Sequence, residues 1–307
     1  MDHARIQFGR FSTHHFIMSV YNPTDELIIR PNQSWLRVDW RGILQYKDLV
    51  VLMVRRDFIA RYKQTVLGPA WFIINPVVTS LTFTLVFSQV LGVATGGIPP
   101  VLFYLSGMLG WSYFSNLLST TSNALLHNAS LFGKVYFPRL IVPLAMAISS
   151  CIAFGIQLFT FLTALLVFAL KGTVAISWMH LLIALAVLPL VVLHMAMLAV
   201  GVGLSLASIT AKYRDFQHLT GFVVQLWMYL SPVIFPFSHV QQRFPSLAWL
   251  AALNPMASII ESIRSLFFGT PAMPLPYMLL SIGSAVVLCI IGVLIYQRTA
   301  RTFIDTV

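Results

Sequence analysis

The sequence predicts an all-α polytopic membrane protein: six transmembrane helices, an N-terminal amphipathic interface helix, and a re-entrant helical hairpin before the last span. Three observations predict this. Of 307 residues, 58% are hydrophobic and only 9% charged, where a soluble domain carries about 25% charged. That is too little charge to cover a water-exposed surface. Apolar stretches recur at the roughly 20-residue length a helix needs to cross hydrocarbon. The basic residues then sort onto one side of those stretches, as cytoplasmic flanks do.

Residues 1–35 are polar, contain Pro23 and Pro31, and read as an extended arm. Residues 36–68 read as an amphipathic cytoplasmic interface helix. In it Trp40, Ile43, Leu44, Val50, Val51, Val54 and Phe58 recur near helical spacing, with Arg41, Gln45, Lys47, Asp48 and Arg55 between them. Packing on protein is the rival reading, because amphipathicity alone does not choose lipid over protein. Arg55, Arg56, Arg61 and Lys63 then give way at Gly68-Pro69 to a stretch with no formal charge before Lys134.

Residues 69–307 form the transmembrane domain, with crossings expected at about 69–91, 98–118, 141–170, 181–209, 219–237 and 277–296. The third and fourth are long enough to tilt or project. The linker GVATGG between the first two is a tight turn. With the N-terminus inside, ten basic residues precede span one, and Lys134, Arg139, Lys212, Arg214, Arg298 and Arg301 share that side. Only Lys171, Arg243 and Arg264 fall outside, so both termini are assigned to the cytoplasm.

Two segments are neither span nor plain loop. Between spans two and three, Asn128 is placed to cap a short helix carrying Leu131, Phe132 and Val135, stopped by Pro138. Such a helix either plugs a groove on a soluble partner or closes the bundle at the membrane surface. Before span six, residues 243–271 are broken by Pro245 and Pro255, so neither piece crosses; two short helices that dip in and return fit better. Glu261 and Arg264 sit three apart on one face and are read as a structural ion pair. A proton or ion site at Glu261 is the weaker reading.

Several chemistries are excluded. There is no G-x-x-x-x-G-K-[ST] loop for ATP. Six of nine acidic residues precede span one, and Asp215, Glu261 and Asp305 are scattered, so no carboxylate pair for glycosyl chemistry is visible. The eight histidines show no metal-ligand spacing. His194 alone lies well inside a span, as a packed or water-bonded residue. Cys151 and Cys289 sit in apolar runs as small core residues. The net charge of +10 follows membrane topology rather than a nucleic-acid patch. No cleavable signal peptide is expected, since residues 1–35 lack an apolar core.

Specific wording resembles one family, the membrane subunits of bacterial ABC exporters for lipid-linked polysaccharides of the O-antigen and teichoic-acid type. Arg56-Asp57, Arg61-Tyr62-Lys63-Gln64-Thr65 and Leu67-Gly68 look like its approach to span one. Lys134-Val-Tyr-Phe-Pro138-Arg139 looks like its segment before span three. Tyr213-Arg214-Asp215, then Gln225-Leu-Trp227-Met-Tyr229-Leu-Ser231-Pro232, look like its loop and fifth span. Asn254-Pro255 looks like its re-entrant hairpin, and the match runs in order over roughly 36–300; the N-terminal arm is longer than the family core requires.

The resemblance implies a bacterial inner-membrane homodimer whose two permeases form a pore. Two copies of a separate ATPase subunit, which bind the ATP and Mg, attach from the cytoplasm. A coupling helix is implied at about 125–135, with Leu125, Leu131, Phe132 and Val135 as its contacts. Arg56, Asp57, Arg61, Tyr62, Lys63, Tyr213, Arg214 and Asp215 would form the cytoplasmic gate, and Asn254, Glu261 and Arg264 the hairpin. A glycan sliding along aromatic faces would meet Trp71, Phe72, Phe83, Tyr104, Trp111, Trp227 and Tyr229, each of which packing or an interfacial belt also explains. Two rivals stand beside this reading: an ABC exporter of a drug or small lipid, and an ion-coupled carrier. The second calls for several ionisable groups at mid-membrane, and only Glu261, Arg264 and His194 qualify.

Overall fold

Prolines and glycines set most helix boundaries in this chain. The computed structural model describes residues 40–62, 66–132, 134, 137–174 and 177–303. The polar arm at 1–35, Lys63 and Val135 lie outside the described residues. Helices α1 (Trp40–Gln45) and α2 (Lys47–Tyr62) come first. Gly68, at φ 50° in the left-handed region, turns the chain, and Pro69 opens the short turn that leads into α3 (Trp71–Phe83). α3 continues as a wider π-helical coil over Thr84–Val90. A linker with left-handed Gly92, Gly96 and Gly97 then leads to Pro100, which opens α4 (Pro100–Ser122).

Two single-turn helices follow, α5 (Ala124–His127) and α6 (Ala129–Phe132). The long helices α7 (Ile141–Leu170) and α8 (Trp178–Lys212) span about 45 and about 52 Å at 1.5 Å per residue. Next come α9 (Phe216–Tyr229), α10 (Phe237–Arg243), α11 (Ala248–Leu253), α12 (Pro255–Phe268) and α13 (Leu275–Phe303). Among the described residues there is no strand.

Four helical stretches are long and apolar enough to cross a bilayer: Gly68–Val90, Ile141–Leu170, Trp178–Lys212 and Leu275–Thr302. They coincide with expected spans one, three, four and six. The other two differ, for separate physical reasons. α4 has the length but carries Ser, Thr, Asn and Gly; it lies at the centre of the main core, with Leu102, Tyr104, Phe114 and Leu117 at 0% exposure, so it need not be apolar on every side. Expected span five, 219–237, is interrupted. α9 stops at Tyr229, and Pro232, with no N–H to donate, ends the ladder before Pro236 leads into α10.

Helix α8 ties the bundle together. A Cβ at Gly292 on α13 would overlap the Gly201 carbonyl oxygen, and one at Gly203 would overlap the Thr121 hydroxyl on α4. Small residues here let the main chains approach directly, as membrane helices do where no hydrophobic force separates protein from lipid. A second core gathers Ile43, Val50 and Met53 from α1 and α2 against Leu125, Ile141, Leu204 and Tyr296. One side of α2 therefore packs on protein, while Val51, Leu52 and Ile59 are exposed.

Candidate functional site

The interruption after α9 is where polar chemistry concentrates. Arg264, 1% exposed, points from α12 into the break and donates to the carbonyls of Pro232 (2.5 Å) and Val233 (3.1 Å). These are acceptors that the broken helix leaves without intrahelical donors. Its Nη1 also pairs with Glu261 Oε1 at 3.2 Å, and the same oxygen accepts the Phe237 N–H at 3.0 Å, at the start of α10. A carboxylate suits a helix N-terminus, where the first N–H groups lack partners and the dipole is positive. The Phe103 ring lies 3.6 Å from the guanidinium carbon, and Gly107 leaves room beside it. The pair thus clamps both ends of the break onto α12 and α4.

Asn254 does parallel work at the start of α12, about two turns before Glu261. Its Oδ1 caps α12 by accepting the Met256 N–H and also accepts Trp227 Nε1–H, at 3.0 and 2.9 Å. Its Nδ2 donates to the Leu230 carbonyl and Ser231 Oγ, both at 3.0 Å. Pro255 in the first turn and left-handed Gly269 at the far end complete a helix with both ends specified. His194 meets Ser281 Oγ at 3.1 Å. That hydroxyl donates to the Pro255 carbonyl at 2.9 Å, so it accepts from the imidazole, which carries its proton on Nε2. His194 is a link between α8, α12 and α13.

The predicted aromatic set divides. Tyr104 and Trp111 are buried, with Tyr104 edge-on to Phe83 and Trp111 against Phe114. Trp227 packs edge-on to Phe114 at 5.0 Å. Phe72 and Phe83 are half-buried, while Trp71 and Tyr229 are exposed.

At the other end of the bundle, Arg56 makes a two-pronged contact to Asp57 Oδ1 (3.1 and 2.9 Å) and reaches Asn128 Oδ1 at 3.3 Å. Arg61 and Tyr62 are described by backbone alone. Tyr213 is exposed, with the Lys212 ammonium 5.2 Å from its ring centre; Arg214 and Asp215 are exposed beside it. The segment at 125–135 departs from the single helix the sequence suggested. Asn128 does not cap a following helix with its side chain. Its amide donates to the Ala124 carbonyl at 3.0 Å, ending α5, and α6 starts anew. Leu125 and Phe132 turn inward; Leu131 is half-buried, and His127, Ser130 and Lys134 are exposed.

Sequence reasoning missed Phe103, Gly107, Ser281 and the Arg56–Asn128 contact. None has a local signal: each is defined by a neighbour far along the chain. The Asn254–Pro255 start of α12 and the three-residue spacing of Glu261 and Arg264 are local, and were visible.

The chain is 28% identical over 228 residues to an O-antigen export system permease protein RfbA of Myxococcus xanthus, covering 74% of this chain and 83% of that one. It is 23% identical to an RfbA of Klebsiella pneumoniae, over 84% of this chain and 94% of the relative. A capsule polysaccharide export inner-membrane protein CtrC of Neisseria meningitidis is 25% identical over 74% of this chain and 82% of its own length. Residues 48–268, which hold α3 to α12 and nearly all of α2, match the ABC-2 type transporter family, and the chain belongs to it.

Proposed function

We propose that this chain is the membrane subunit of an ATP-driven exporter moving a lipid-linked, O-antigen-like polysaccharide from the cytoplasm across the bacterial inner membrane. The observation that carries the reading is the similarity to O-antigen export permeases over 74% and 84% of this chain. The nearly charge-free spans support it, since fixed charges would hold a sliding sugar polymer. Two copies of the chain form the pore, and two copies of a separate ATPase subunit bind ATP and Mg.

In this reading α4 and α9 complete six crossings, with both termini cytoplasmic and lipid around the bundle. α4 is sheltered by protein, and α9 is extended by the clamped segment 230–236. Irregular backbone is tolerated at membrane depth where protein encloses it. α2 lies in the interface with Val51, Leu52 and Ile59 toward lipid, and α11 and α12 form the re-entrant hairpin. The coupling contact is made by the rim of α5 and α6, Leu131 foremost, with Leu125 and Phe132 anchoring it from beneath. Val135, which lies outside the described residues, belongs to the same segment.

The gate comprises Arg56, Asp57, Arg61, Tyr62, Lys63, Tyr213, Arg214 and Asp215. Trp71 and Tyr229 are accessible for the glycan path, with Phe72, Phe83 and Trp227 behind them; Tyr104 and Trp111 serve as packing.

The test is direct. The purified chain alone hydrolyses no ATP, and turnover appears when the ATPase subunit is added. A strain lacking the chain loses surface glycan and accumulates the lipid-linked polymer inside. Robust turnover by the isolated chain, or unchanged surface glycan in the deletion strain, overturns the reading.

A further inference from the structure

The ends of α7 and α8 remote from α2 border an open cavity of about 350 Å³ within a single chain. That is close to the lower size of small-molecule sites, about 300 Å³. Its wall combines Phe267 and Phe268 with Thr173, His180 and Thr270. Both phenyl rings are held edge-on by buried Phe161, at 5.0 and 6.0 Å between centres. The Thr270 hydroxyl is buried with no hydrogen-bond partner among the described residues, whereas the Thr173 hydroxyl donates to the Phe168 carbonyl at 2.7 Å. A buried hydroxyl without a partner is costly and is the exception in folded proteins. Gly96, Gly97 and Gly269 complete the wall in left-handed conformations, with φ of 65°, 83° and 66° and no atom within 4 Å of where a Cβ would stand. The space that a side chain would fill is therefore open at all three.

The lining selects its ligand. Among the described residues it contains no Asp, Glu, Lys or Arg. A phosphate headgroup would find no fixed counter-charge there. An acyl chain would leave the Thr270 hydroxyl unmatched. A neutral pyranose satisfies both halves of the wall: its C–H faces rest on aromatic rings, and its hydroxyls bond to Thr270 and His180. We infer that this cavity is an external binding site for one neutral sugar unit of the exported glycan. The inference rests on the export reading and its topology, which put this end of α7 and α8 outside the cell. A site for single sugars beside the pore would hold an emerging polymer against backsliding without a fixed charge.

The experiment uses the full chain in lipid nanodiscs and saturation-transfer NMR. The probes are methyl glycosides of glucose, galactose, mannose and rhamnose, with glycerol 1-phosphate as the headgroup control. At least one glycoside shows saturable transfer and glycerol 1-phosphate shows none. Thr270→Val, which keeps the shape and removes the hydroxyl, weakens binding by about tenfold. His180→Trp, which fills the cavity from its exposed side, abolishes it; both variants melt as the parent does. Saturable binding of glycerol 1-phosphate overturns the inference, as does a glycoside affinity unmoved by Thr270→Val or the absence of any glycoside binding. If that happens while the deletion strain still loses its surface glycan, the site fails and the export reading stands. Failure of the export reading shows separately, as intact surface glycan in that strain.

Discussion

A guanidinium 1% exposed among apolar helices persists because two carbonyls, a carboxylate and an aromatic face surround it. Removing one partner of a buried pair leaves the other charge uncompensated, at a cost of about 3–5 kcal/mol. Glu261→Gln keeps an oxygen for the Phe237 N–H but strands Arg264; Arg264→Met strands Glu261 and frees two carbonyls. Each single variant should lose stability of that order, and the double variant markedly less than the sum. Denaturant unfolding in detergent measures the cycle, and additive losses would show that the two residues act separately. The pair itself was legible from a three-residue spacing. Its purpose was not, because the carbonyls it serves lie 31 and 32 positions away.

Elements with punctuated ends were the easiest to read. α12 begins at an Asn-Pro and ends at a glycine, so its limits follow from local stereochemistry. The segment at 125–135 was harder, because Asn128 has two uses for its side chain. Capping forward and bonding back to Ala124 look alike in sequence, and Arg56 reaching Asn128 from α2 accompanies the second. The consequence is testable. Leu131→Asp should leave the chain folded and inserted yet cut export by at least about tenfold, since its carboxylate would be buried unpaired against the ATPase subunit. Phe132→Asp should instead destabilise the chain, because Phe132 packs inward against Phe137 at 5.7 Å. Melting curves beside export rates separate the two, and normal export by Leu131→Asp removes the coupling assignment.

At the scale of the whole molecule, hydropathy reported the four helices long and apolar enough to cross a bilayer and lost contrast at α4, which other helices cover. α4 is the case in point: five of its serines and threonines bond back to their own helix, as Thr121 Oγ1 does to the Leu117 carbonyl at 2.7 Å. The proposed topology predicts a labelling pattern. With Cys151 and Cys289 replaced, cysteines at Gln241 and Ala272 should both react with an impermeant thiol reagent added outside, and one at Arg301 should not. Labelling of 241 and 272 from opposite sides would mean that a piece between them crosses. The glycine seats on α8 carry a last consequence. Where main chain rests on main chain, at Gly201 and Gly292, no side chain is left to rearrange, so α8 and α13 resist turning past one another. The two should therefore move as one body.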